Sequence, residues 1–147
     1  MFNKLKEVLL GTPRPPKGSV FFVSGLGVLT FNDDVDLWEI DIIRDGDTIC
    51  FGMGPNKEPD KALIQHVIDI VEDLETFKEK ITVFLESEKH KYYGYEDEIS
   101  QLIINSVCFY NPDSLNDGMI SFAGPDDFRL WRCDYIAKEP KNLGFDD

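Results

Sequence analysis

Glu39 and Asp41 are the residues best placed for chemistry. They stand two apart in the run Leu37-Trp38-Glu39-Ile40-Asp41-Ile42-Ile43. Side chains alternate along an extended strand. Trp38, Ile40 and Ile42 therefore share one face, and Leu37, Glu39, Asp41 and Ile43 share the other. Two carboxylates on one strand face can hold a cation or exchange protons with a substrate. The same alternation also describes the solvated side of a half-buried strand. Asp134, in the later run Arg132-Cys133-Asp134, is a third carboxylate that a folded site could recruit.

Other reactive residue types lack the spacing their chemistry needs. Gly52-Met53-Gly54 follows a strand-like run, but Pro55 comes next, with no third glycine and no Lys-Ser/Thr. A phosphate cradle needs main-chain N–H groups at a helix start, and Pro55 and Pro59 supply none. His66 and His90 lie 24 residues apart on one helical stretch, without the partners of a zinc site. His66 reads as a partly covered surface residue. No Gly-x-Ser-x-Gly elbow is present. Cys50, Cys108 and Cys133 each sit inside an apolar run, odd in number and widely spaced. That pattern argues against a disulfide framework and for reduced, inert core thiols. The acidic clusters are Asp33-Asp34-Asp36, Glu72-Asp73-Glu75, Glu96-Asp97-Glu98, Asp126-Asp127 and Asp146-Asp147. None has the alternating register of a calcium loop.

Charge narrows the partners. Twenty-eight Asp and Glu against fifteen Lys and Arg leave a formal net charge of −13 over 147 residues. Such a chain repels nucleic-acid phosphate and anionic membrane surfaces. A basic protein remains a suitable partner, and solubility alone is the simpler use of the charge. No apolar run approaches the roughly 20 residues of a membrane span. Residues 1–11 lack the apolar core and cleavage site of a secretory signal. The expectation is a single cytoplasmic domain, able to bury about two thirds of its unfolded surface.

The elements that must position these residues follow from periodicity. Leu63, Val67, Ile70, Leu74, Phe77, Ile81 and Phe84 recur at steps of four and three, the signature of one helix face. Ile64, Ile68 and Val71 widen the stripe in its first half. The polar cluster Glu72 to Thr76 breaks the stretch, so the spacing predicts two helices, over 59–72 and 75–88. Pro59 suits a first helical turn, and Asp60 complements the helix dipole. Residues 1–11 form an amphipathic helix pattern through Phe2, Leu5, Val8 and Leu9. Residues 12–18 hold three prolines and read as a stiff connector. Four strands are predicted over 19–24, 27–31, 35–44 and 48–53, with Asp45-Gly46 as a tight hairpin turn. After the helices, Tyr92-Tyr93-Gly94-Tyr95 packs as an aromatic link and 96–101 forms a short helical turn. Strands follow over 103–110, 119–123 and 128–136. Residues 137–147 read as a polar tail that Leu143 and Phe145 tack down.

The sum is an α+β domain spanning 1–147. It has a single antiparallel sheet of about six to seven strands, helices on one face and a short N-terminal helix. Trp38, Leu63, Val67, Ile70, Leu74 and Trp131 should share one core. The layout also resembles uncharacterised bacterial domain families of unknown function. The resemblance runs through Gly27-Val28-Leu29-Thr30-Phe31, Asp34, Trp38-Glu39, Gly46 and the helical stretch. It continues through Ser106-Val107-Cys108-Phe109, Gly118-Met119-Ile120-Ser121-Phe122 and Asp127-Phe128-Arg129-Leu130-Trp131, and covers about residues 25–136. In those relatives a glycine and a histidine follow the last tryptophan. Here Arg132-Cys133 stand there, so no role of that histidine carries over. The resemblance implies an α+β fold, a bacterial source and, through related toxin-immunity proteins, a protein-binding role without catalytic residues.

The functional expectation is a non-catalytic, immunity-type binder of a basic protein, without cofactor or metal. Its acidic surface is drawn from Glu39, Asp41, Asp126 and Asp127, with Glu96, Asp97 and Glu98 as a comparison cluster. The alternatives are a small enzyme or ligand-binding domain around Glu39, Asp41 and Asp134, or a nucleic-acid mimic.

Overall fold

A computed structural model describes residues 14–54, 56–110, 117–126 and 128–146. Among these described residues, eight strands form one open sheet in sequence order: β1 (Val20–Val23), β2 (Gly27–Asn32), β3 (Leu37–Arg44), β4 (Asp47–Met53), β5 (Ile103–Phe109), β6 (Gly118–Ala123), β7 (Leu130–Ile136) and β8 (Glu139–Asp146). Between β4 and β5 come α1 (Lys61–Glu72), α2 (Leu74–Glu88), a 3₁₀ turn (Lys89–Lys91) and the single-turn α3 (Glu96–Ile99).

The sheet is not wholly antiparallel. β4 and β5 run parallel, with Phe51 opposite Val107 and Met53 opposite Phe109, and every other neighbour pair is antiparallel. The crossover through α1 and α2 brings the chain back to the starting end of the sheet, so β5 must enter in the same direction as β4. Two four-stranded meanders therefore meet at one parallel seam.

The helix boundaries follow capping chemistry. Asp60 caps α1, its carboxylate accepting from the N–H groups of Ala62 (2.9 Å) and Leu63 (3.2 Å). Pro59 lies before the cap instead of in the first turn. Asp73 leaves helical geometry (φ −128°, ψ 51°) and separates α1 from α2, inside the polar cluster where the break was expected. The apolar stripe restarts after it as Leu74, Phe77, Ile81 and Leu85. Leu85 takes the buried place assigned to Phe84, which is half-buried.

Both helices cover one face of the sheet. Leu63, Val67, Ile70 and Leu74 close with Trp38, Phe51, Met53, Phe109, Trp131 and Tyr135 into one buried cluster, which includes all six predicted core residues. A fully buried side chain of this kind contributes about 1.5–3 kcal/mol through removal from water.

Three expectations change. The polar tail over 137–147 is a strand through Asp146, and the sheet has eight strands instead of six or seven. Ala137 and Lys138 make the β7–β8 turn with φ of 52° and 62°, a geometry usually signalled by Asn or Gly. Pro140 is tolerated because β8 is an edge. Cys50 is only partly buried, whereas Cys108 and Cys133 are buried as expected; Cys50 and Cys108 lie on the face away from the helices, and Cys133 joins the helix-side core. The short N-terminal helix expected over 1–11 lies outside the described residues. Among the described residues no helix is long and apolar enough to cross a membrane.

Candidate functional site

Glu39 and Asp41 project from β3 on the face away from the helices, about 7 Å apart along the strand. The sequence placed them there by alternation with Trp38, Ile40 and Ile42. They border a shallow groove of about 460 Å³ that also takes in Lys17, Thr30, Asn32, Asp33 and Asp34. The Asn32 amide donates to both Glu39 oxygens, at 3.3 and 3.4 Å. The Asn32 carbonyl oxygen in turn accepts the Asp34 N–H at 3.1 Å, which fixes the β2–β3 turn and holds Asp33 and Asp34 over the same groove. Asp36 lies in the left-handed region (φ 57°) and pairs with Arg14 at 2.9 Å.

The floor beside the groove is built of small residues. A Cβ on Gly52 would meet both the Cys108 sulfur and Leu37 Cδ1 at 3.0 Å, so glycine lets those side chains close over β4. Leu37 is consequently buried, although its alternation placed it on the water side. Next along, the Ser106 and Ser121 hydroxyls meet at 2.5 Å. The field of the carboxylates shows in the neighbouring thiol. Burial, then the charges of Glu39 and Asp41, push Cys50 up to about 12. Burial also raises Cys108. Burial, with a smaller push from Asp134, takes Cys133 to about 12. All three are unpaired thiols held in their unreactive form.

The other acidic residues do not join this groove. Asp134 shares a row with Glu39 but sits four strands away, roughly 19 Å across the sheet, where Asn142 donates to it. Glu39, Asp41 and Asp134 therefore do not converge, and no group of three or more metal-ligating side chains forms among the described residues. Asp126 lies in the β6–β7 loop, accepts the Phe128 N–H at 2.9 Å and pairs with Arg129 at 3.2 Å. Asp127 lies outside the described residues. In the comparison cluster Glu98 is structural: one oxygen takes Arg129 at 2.7 Å and the other takes the Trp131 indole N–H at 2.8 Å. The Arg129 guanidinium lies 4.7 Å from the Tyr95 ring centre and 5.2 Å from that of Phe145. Sequence reasoning missed this cluster, since its partners are 31 and 33 residues apart.

On the helix side, His66 stacks 5.0 Å from Phe109 at the edge of a second hollow of about 260 Å³ with Asp69, Thr76, Tyr135 and Lys138. Burial, then the Lys138 charge, lower its pKa and favour the neutral imidazole.

The acidic groove, then, can attract and orient cationic groups, but it holds no activated nucleophile. Comparison of the chain with protein-family models, curated proteins and solved structures returns no match.

Proposed function

We propose that this protein is a non-catalytic, immunity-type binder. It captures a basic protein in the cytoplasm through the acidic groove on the open face of β2 and β3. The observation that carries this reading is the accumulation of Asp33, Asp34, Glu39 and Asp41 around one shallow depression. Among the described residues, apart from the amide of Asn32 on Glu39, these side chains are left to solvent and to a partner. Within a chain of net charge −13, such a patch steers a cationic surface toward itself. Unpaired thiols suit a reducing compartment.

The test is capture from a lysate of the source cells by the wild type and by Glu39→Lys/Asp41→Lys, at low and high salt. A basic protein should be retained by the wild type, released as salt shortens the screening length toward roughly 8 Å, and lost in the double variant. A partner held equally by both chains would overturn the reading. A small ligand or metal found on Glu39 and Asp41 would replace it with the ligand-binding alternative.

A further inference from the structure

The β1–β2 hairpin differs from the rest of this acidic chain in having no charge at all. From Gly18 to Phe31 there is no Asp, Glu, Lys or Arg. β1 is also an end strand of the sheet. Its odd-numbered residues bond to β2: Phe31 donates to the Ser19 carbonyl at 2.8 Å, and Phe21 and Val23 stand opposite Leu29 and Gly27. Antiparallel alternation then turns the N–H and C=O groups of Val20 and Phe22 outward. The same two residues expose 67 % and 71 % of their surface. Among the described residues, main-chain and apolar side-chain valences are thus left open at the same two positions.

The opposite edge is guarded. β8 carries Pro140, Lys141 and Asp146, and its pairing with β7 shifts register between Arg132 and Asp134. Asn142 on β8 has a φ of 57°. Proline, charge and irregularity are what keep a sheet edge from pairing with another chain. β1 has none of them.

We propose that β1 pairs with β1 of a second copy of this chain, antiparallel about a two-fold axis, so that two sheets become one. Outward-facing residues must bond to outward-facing residues. The register that buries most apolar surface sets Val20 against Phe22 of the second copy and Phe21 against its own counterpart. Two hydrogen-bonded residue pairs result, about four main-chain bonds. The exposed valine and phenylalanine then cover each other on the open face.

Charge selects this occupant. A basic strand would meet Lys17 at the head of β1, and an acidic strand would meet the field of the whole chain. An uncharged apolar strand suits the edge, and residues 20–23 are such a strand. The edge is short, far below the roughly 1,600 Å² of a standard interface, so the dimer must depend on concentration. Two bodies of charge −13 also repel, so salt tightens this dimer, whereas it weakens capture of a basic protein. The two proposals therefore fail separately.

Sedimentation equilibrium of the full chain, over a concentration series at low and high salt, tests it together with amide hydrogen exchange at Val20 and Phe22. Expected are a monomer–dimer equilibrium that shifts toward dimer with salt, and protection of these two amides that rises with concentration. Val20→Lys/Phe22→Lys should be monomeric throughout, with the melting temperature of the wild type at low concentration, since both side chains are exposed in the monomer. A monomer at every concentration would overturn the proposal. So would a dimer that survives the double substitution, or protection independent of concentration, which would put a segment of the same chain on the edge.

Discussion

Glu98 and Glu39 are both half-buried carboxylates next to a tryptophan-bearing strand, yet they serve opposite ends. In the β5–β8 half, Glu98 is enclosed between Arg129 and the Trp131 indole, and Tyr92, Tyr95 and Phe145 pack around that tryptophan. In the β1–β4 half, Glu39 has the side-chain amide of Asn32 as its hydrogen-bond donor and opens onto the acidic groove. One half uses its charge internally and closes its edge. The other leaves charge and edge available. Under the proposed function, stability and recognition fall to different meanders on either side of the parallel seam.

The largest effect that would break this contrast is Trp131→Ala. Trp131 is fully buried, with the Phe145, Tyr92 and Tyr95 rings at 4.7, 5.3 and 6.1 Å. Loss of about 3–5 kcal/mol in urea denaturation is expected. A loss under about 1 kcal/mol would remove the claim that the second meander is the stabilising half. Glu98→Ala comes next. It leaves the Trp131 N–H without its acceptor, a cost of about 1–3 kcal/mol. Glu98→Gln, which keeps a carbonyl oxygen for that N–H, should recover part of the loss. Equal losses for both variants would show that the Arg129 ion pair, and not the indole bond, sets the cost.

These partners explain what the sequence could and could not reveal. The helix stripe was legible because Leu63, Val67, Ile70 and Leu74 repeat at helical spacing, and the break was legible because polar residues interrupt it at Asp73. The shared face of Glu39 and Asp41 was legible from alternation alone. β8 was hidden because Pro140, Asn142 and Gly144 look like loop residues, and only an edge position accommodates them. The parallel pairing of β4 with β5 joins strands fifty residues apart in the chain, on the order of the whole helical layer, and no local pattern encodes it. The burial of Leu37 depends on a glycine in the neighbouring strand, and the role of Glu98 depends on Trp131. Neither signal exists within a single element.

A smaller effect sharpens the comparison at high pH. Cys50, in the first meander, and Cys133, in the second, are both pushed up to about 12, against an ordinary value of 9.0. The unfolded chain ionises its thiols first, so it binds fewer protons than the folded chain between those values. Stability is therefore intact below about pH 9 and falls as pH rises toward 12. Denaturation midpoints across this window should decline, and Cys133→Ala should flatten the decline. Thiol labelling of the native protein at neutral pH should be slow at all three cysteines. Rapid labelling of Cys50 would show that burial and the nearby Glu39 and Asp41 charges do not hold it protonated.

The smallest expected effect on stability belongs to the residues given the functional role. Glu39→Lys/Asp41→Lys gives up the part-buried Asn32 hydrogen bonds to Glu39 but relieves repulsion among the groove carboxylates, so the unfolding free energy should stay within about 1 kcal/mol of the wild type. Capture of the basic partner should nevertheless be lost, because the same change turns a groove of four carboxylates and Lys17 into one with three lysines and two carboxylates. Asp126→Asn supplies the control from the other half. It weakens the local pairing with Arg129 while leaving the groove untouched, so capture should persist. If Asp126→Asn abolished capture and the groove variant did not, recognition would belong to the β6–β7 loop, and the division of labour between the two meanders would be reversed.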